Sequence, residues 1–127
     1  MAVSEDRRYL KSHEWHKLEG EICTIGITQF AADELTDVTF VSLPSTGKEL
    51  TAGKPFGEIE SVKATSDLIS GVSGVVTAVN TRLNDSPELV NNDPLGDGWM
   101  IKVKLTHPSE YEKLLSPTDY QAQLGSH

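Results

Sequence analysis

The sequence predicts a mainly β fold, a small sandwich or flattened barrel with short peripheral helices. Three observations predict it. Apolar residues recur at period two over most of the chain, as Cys23, Ile25 and Ile27 do in "EICTIGI", and that spacing lines up side chains on one face of a strand. Turn-forming stretches such as "PSTG" (44–47) separate these runs at close intervals, the habit of sandwiches and small barrels. Helical spacing is confined to one short stretch near residue 30 and to the C-terminal end.

Taken in order, "MAVSEDRRYLKSHEW" pairs Arg7 with Arg8 but has no apolar stretch behind them, so it does not read as an export signal. Its acids Glu5, Asp6 and Glu14 also argue against a transit peptide. "EICTIGI" is the first clear strand, and Cys23 belongs to its buried face as a small hydrophobe. In "TQFAADELT", Thr28 is placed to cap a short helix whose Phe30, Ala31 and Leu35 share a face. "DVTFVSL" alternates Val38, Phe40 and Ser42 against Thr39, Val41 and Leu43, a further strand. "KPFGEIESV" and "ATSDLIS" read as two strands joined by a turn at Lys63, and "VVTAVN" is a β-branched strand.

Residues 84–98, "NDSPELVNNDPLGDG", are rich in Asn, Asp, Pro and Gly and predict a long surface loop. "WMIKVKL" returns to strand, with Trp99, Ile101, Val103 and Leu105 inward and Lys102 and Lys104 outward. A helical segment of about 109–124 ends the chain. Ser109 is expected to cap its first part, with Tyr111, Leu114 and Leu115 on one face. Ser116, Pro117 and Asp119 supply cap, first-turn proline and capping-box acid for the second.

The 127 residues suit a single domain, 1–127, with 37% hydrophobic and 24% charged residues. The net charge of -8 speaks against nucleic acid or an anionic membrane as partner, since both demand clustered Lys and Arg. It suits partners with basic docking surfaces. No run of residues reaches the length of a membrane span, and a monomer in an intracellular setting is expected. One cysteine excludes an internal disulfide framework.

Chemistry is scarce. "HEWH" at 13–16 is not the HExxH zinc motif, and no Cys or second His cluster completes a zinc set with His13 and His16. There is no GxSxG elbow, and Gly47-Lys48 lacks the upstream glycine of a phosphate loop. That leaves Lys63, alone in "GEIESVKATSDLISG" between Glu58, Glu60 and Asp67. A Schiff-base or general-base lysine needs burial or neighbouring cations, and a turn among acids offers neither. Taken by itself the residue is a solvated lysine, open to acylation by an external enzyme. No catalytic or metal-binding residue is assigned.

Several stretches together resemble the glycine cleavage system H protein family. They are "ESVKATSD" (60–67), "SHEW" (12–15), "IGIT" (25–28), "LNDSPELVNNDP" (83–94) and "GWMIKVK" (98–104). Gly47, sixteen residues before Lys63, and Gly74, eleven after it, match the glycine framing of lipoyl and biotinyl carrier domains. The resemblance implies a barrel-sandwich hybrid of two antiparallel sheets with short peripheral and C-terminal helices. It also implies a lipoic acid joined by an amide to Lys63 at a hairpin tip. "SVKA" lacks the flanking methionines of a biotinyl site.

By the same resemblance the protein is a non-catalytic carrier. The arm takes the aminomethyl group of glycine from a pyridoxal-phosphate glycine decarboxylase, the P protein. It delivers the group to the T protein, an aminomethyltransferase using tetrahydrofolate, and is reoxidised by the L protein, dihydrolipoyl dehydrogenase. A lipoate ligase or lipoyl transferase attaches the lipoyl group. Positions matching the cleft that shelters the loaded arm are Ser12, Glu14 and Asp67, with Glu34 where related proteins often carry His. Gly71 stands where proline is usual, and is expected to loosen the return strand. A bacterial cytoplasm fits, or the mitochondrial matrix for a processed form. A lipoyl relay to 2-oxoacid dehydrogenases and an unmodified interaction domain remain as alternatives.

Overall fold

The structure, a computed structural model, describes residues 4–125. The expected domain bounds, 1 and 127, lie outside the described residues. The chain opens with β1 (Arg8–Tyr9), β2 (Glu14–Glu19) and β3 (Ile22–Ile27), followed by helix α1 (Gln29–Leu35) and β4 (Val38–Ser42). Next come β5 (Glu49–Leu50), β6 (Pro55–Ser61), β7 (Thr65–Ile69) and β8 (Gly74–Val79). Short helices α2 (Arg82–Asp85) and α3 (Leu89–Asn92) precede β9 (Ile101–Leu105), and α4 (Ser109–Glu112) and α5 (Pro117–Gly125) close the described chain.

The strands form two antiparallel sheets, one ordered β1-β2-β3-β9-β8-β5 and the other β4-β6-β7. Ile25, Ile101, Val103 and Val76 of the larger sheet and Val41, Ile59 and Leu68 of the smaller belong to one buried cluster, so the two inner faces share a core. A second cluster of Tyr9, Trp15 and Tyr120 ties α5 to β1 and β2, with the two tyrosine rings stacked at 4.5 Å. Cys23 is fully buried on β3, as the period-two pattern requires.

Local signals hold where neighbours in sequence decide them. Thr28 caps α1, its hydroxyl accepting the Ala31 amide at 3.3 Å. Ser116 caps α5, accepting the Asp119 amide at 3.1 Å, with Pro117 in the first turn. The cap of α4 is Pro108, not the expected Ser109, which is the first helical residue.

Further expectations are corrected by tertiary contacts. The alternation in β4 breaks at a bulge between Val38 and Phe40. Val38 and Val41 both turn inward and Phe40 is left 50% exposed, because an extra residue re-phases everything beyond it. The predicted loop 84–98 contains helix α3 and the end of α2, and it is anchored rather than free. Leu83 and Val90 fill core space, the Asn91 side chain accepts the Val38 amide at 2.9 Å, and Trp15 donates its indole N–H to the Pro94 carbonyl at 3.0 Å.

Another concerns Gly71, which does not loosen the return strand. Its amide donates to His16 Nε2 at 3.0 Å, and a Cβ there would come within 2.5 Å of Leu114 Cδ2. A side chain at this position requires the Leu114 methyl to give way. Trp99, expected inward with Ile101, lies before β9 and is half-buried against the aromatic cluster.

Candidate functional site

Lys63 sits in the turn between β6 and β7. The Ser61 amide donates to the Ala64 carbonyl at 2.8 Å, closing a four-residue turn with Val62 and Lys63 at its centre. The Ser61 hydroxyl accepts the amides of Lys63 and Ala64, each at 3.1 Å, so a single serine fixes the backbone under the lysine. The Val62 amide reaches the Asp37 carbonyl at 3.1 Å, which ties the turn to the start of β4. Lys63 and Val62 are exposed, Val62 at 69%. Glu58 stands directly opposite Asp67 across the hairpin. A like-charged pair there adds no stability, and it gives the arms of the hairpin a negative field.

The lysine amine does not point away from the molecule. Nζ donates to the Glu34 carbonyl at 3.3 Å, near the C-terminal end of α1, where helix carbonyls lack intrahelical partners. Beside it opens a cleft of about 340 Å³, and Ser12, Glu14, Glu34 and Asp67, the four positions singled out from sequence, all line it. Its apolar walls are Phe30, Ala31 and Leu35 of α1, Ile59 of β6, Leu68 of β7 and Ile27 of β3. The shared face of α1 predicted from spacing therefore faces this cleft, and Ala32 is the helix residue that is fully buried.

At the polar end, Glu14 is 1% exposed. Its carboxylate accepts the Ser12 hydroxyl and, at 2.8 Å, the Ile69 amide. Burial raises its pKa to about 7 against the pull of both donors, so its charge changes near neutrality. Glu34 and Asp67 are exposed at the rim.

Sequence reading did not assign His13, Phe30, Leu35, Ile59, Ser66 or Leu68 to this site. In the sequence His13 suggests only a metal ligand. Its backbone is left-handed, at φ 77°, and its ring packs against Phe30 at 4.7 Å. His16 is fully buried on β2 with its pKa lowered to about 3 by burial, opposed by the backbone at Glu14. Its Nε2 accepts the Gly71 amide and Nδ1 has no hydrogen-bond partner. The two histidines are thus used separately. Among the described residues no group of three or more His, Cys, Asp and Glu is placed to hold a metal ion, and no helix is long and apolar enough to cross a membrane.

Two antiparallel sheets, with one lysine raised on a tight hairpin beside a partly apolar cleft, define a carrier domain of the barrel-sandwich type. The glycine cleavage H-protein family model matches residues 7–127. A "Probable glycine cleavage system H protein" of Haloarcula marismortui is 57% identical over 122 residues, 96% of each chain. "Glycine cleavage system H protein 3, mitochondrial" of Arabidopsis thaliana is 50% identical over 94% of this chain and 72% of its own. The crystal structure of a glycine cleavage system H protein from Mycobacterium marinum superimposes with a TM-score of 0.89 at 37% identity, covering 97% of this chain and 99% of that one. The chain belongs to the glycine cleavage H-protein family.

Proposed function

We propose that this protein is the non-catalytic lipoyl carrier of a glycine cleavage system, loaded through an amide at Lys63. One observation supports the reading: the Lys63 amine donates at 3.3 Å to the backbone carbonyl of Glu34, a residue that lines a cleft together with the buried carboxylate of Glu14. Lipoic acid held there by the amide would supply a dithiolane able to carry an aminomethyl group between the P and T proteins and to exchange electrons with the L protein.

The chain's own residues fit such an arm. Phe30, Leu35, Ile59 and Leu68 offer apolar walls to its hydrocarbon part. Glu14, steadied by Ser12 and Ile69, is the carboxylate that pairs with a protonated amine at the arm's end. Glu34 and Asp67 add negative charge at the rim in place of an imidazole, holding the amine by field. The walls restrict water around the cargo. The rigid Ser61–Ala64 turn holds the arm's root clear for a lipoate ligase or lipoyl transferase and for each partner enzyme in turn.

The whole chain forms one carrier domain in this reading, acting as a monomer. The compartment that suits it is a bacterial cytoplasm, or the mitochondrial matrix for a processed form.

Incubation with lipoate ligase and lipoate, read by intact mass and peptide mapping, is expected to modify Lys63 alone. Lys63→Arg is expected to abolish glycine-dependent CO2 exchange with P protein while its melting transition stays near that of wild type. Exchange retained by that variant, or modification at another lysine, defeats the proposal.

A further inference from the structure

We infer that Tyr120, on the C-terminal helix α5, is a positioning residue for the cleft: its hydroxyl holds the His13 ring and the start of α1, from which one wall is built. The inference rests on the reading of this cleft as the shelter of the loaded arm. The Tyr120 hydroxyl lies 2.7 Å from His13 Nδ1 and 2.8 Å from Thr28 Oγ1. These partners are 107 and 92 residues away in sequence, so only the folded chain assembles the group.

Each partner leads directly to the cleft. His13 lines it and packs on Phe30, which also lines it. Thr28 is the N-cap of α1, and α1 contributes Phe30, Ala31, Glu34 and Leu35. A phenol hydroxyl has one proton to give and lone pairs to accept. It donates to one partner and accepts from the other, so the group is satisfied with the proton on either side of His13 Nδ1. Burial raises the Tyr120 pKa, which keeps that proton in place at ordinary pH.

The helix that carries Tyr120 is itself pinned. Ser116 caps it, Gln123 donates to the Lys11 carbonyl at 3.0 Å, and the Tyr120 ring stacks on Tyr9 at 8°. The ring serves the aromatic cluster and the hydroxyl serves the cleft. Held to Tyr120, the His13 ring stays on the wall beside Glu14, whose charge is felt at the Tyr120 phenol. Without that hydroxyl the His13 ring loses one of the contacts that hold it on the wall, and a small misplacement there is costly.

Tyr120→Phe separates these roles, because it keeps the ring stack and removes only the hydroxyl. In the unmodified protein, the nitrogen and carbon resonances of the His13 ring are expected to move in Tyr120→Phe. Wild type and variants are then fully lipoylated, reduced, and loaded with formaldehyde and ammonium. Loss of cargo is hydrolysis: water attacks the methylene, the C–S bond breaks, and S–CH2–NH3+ plus water gives the thiol, formaldehyde and ammonium. Decay is followed by intact mass, with Glu14→Gln as the control for the cleft itself.

Tyr120→Phe is expected to shorten the lifetime about five-fold, the factor that one net hydrogen bond is worth. A shortened lifetime in Glu14→Gln with no change in Tyr120→Phe overturns the role of Tyr120 and leaves the cleft reading standing. No change in either variant overturns both. Should Tyr120→Phe fail to fold, Thr28→Val removes the Tyr120–Thr28 contact together with the cap on Ala31, and Thr28→Ser keeps both. Equal lifetimes in those two variants then overturn the inference.

Discussion

Glu14 and His16 lie two residues apart on β2, both buried, and burial shifts them in opposite directions with opposite consequences for stability. Glu14 has its pKa raised from 4.5 to about 7. Between those values the unfolded chain has lost this proton and the folded one keeps it, so stability falls as pH rises. His16 has its pKa lowered from 6.5 to about 3. In that range the unfolded chain holds a proton the folded one refuses, so stability rises with pH. The two slopes are each about 1.4 kcal/mol per pH unit and cancel in the overlap, where Glu14 starts to lose its proton in the unfolded state and His16 has not yet finished.

Glu14→Gln removes one slope and exposes the other. Subtracting its stability curve from that of wild type cancels His16 and every other group the two proteins share. The difference is expected to fall across the Glu14 window by a total of about 3.5 kcal/mol, 2.5 pKa units at about 1.4 each. Melting followed by circular dichroism in steps from pH 4 to pH 8.5, at constant ionic strength, measures it. Near-flat wild-type behaviour over the overlap, with Glu14→Gln gaining stability as pH rises, is the expected pattern. Parallel curves for the two proteins refute the reasoning, because the buried carboxylate then titrates alike in both states.

Two further outcomes follow from the contacts outside the cleft. Gly71→Pro removes the amide donated to His16 and drives a ring toward Leu114. A lost buried partner at about 1–3 kcal/mol and overpacking at about 1–3 kcal/mol together are expected to lower the melting temperature by ~10 °C or more, and thermal unfolding by calorimetry reads it directly. Asn91→Ala leaves the Val38 amide without its acceptor, so hydrogen exchange at Val38 is expected to quicken by about ten-fold or more while amides of β9 keep their protection.

Much of the site was legible because its parts are local. The Ser61–Ala64 turn, the Thr28 cap and the apolar face of α1 each depend on residues a few positions apart, and sequence spacing reports such contacts. The identity of Ser12, Glu14, Glu34 and Asp67 as cleft positions came through resemblance. Their convergence on one cleft brings together β2, α1 and β7, and no periodicity within a single element encodes it. The bulge in β4 was hidden for a related reason: an inserted residue is favoured by what the partner strand needs, and that strand begins more than ten residues later.

What the sequence by itself determined is the alternation of strands and turns, the absence of any assembled catalytic motif, and the single lysine at a hairpin crest. Those features rest on backbone sterics and side-chain spacing, which act over a few residues. Only the tertiary structure decided that the Lys63 amine turns back to the end of α1, that Glu14 is buried enough to titrate near neutrality, that Gly71 packs against Leu114 and donates its amide to His16, and that Tyr120 reaches across the chain to His13 and Thr28. Burial and hydrogen bonding between distant segments are properties of the packed chain as a whole, and they do not exist until the two sheets and the last helix have closed on one another.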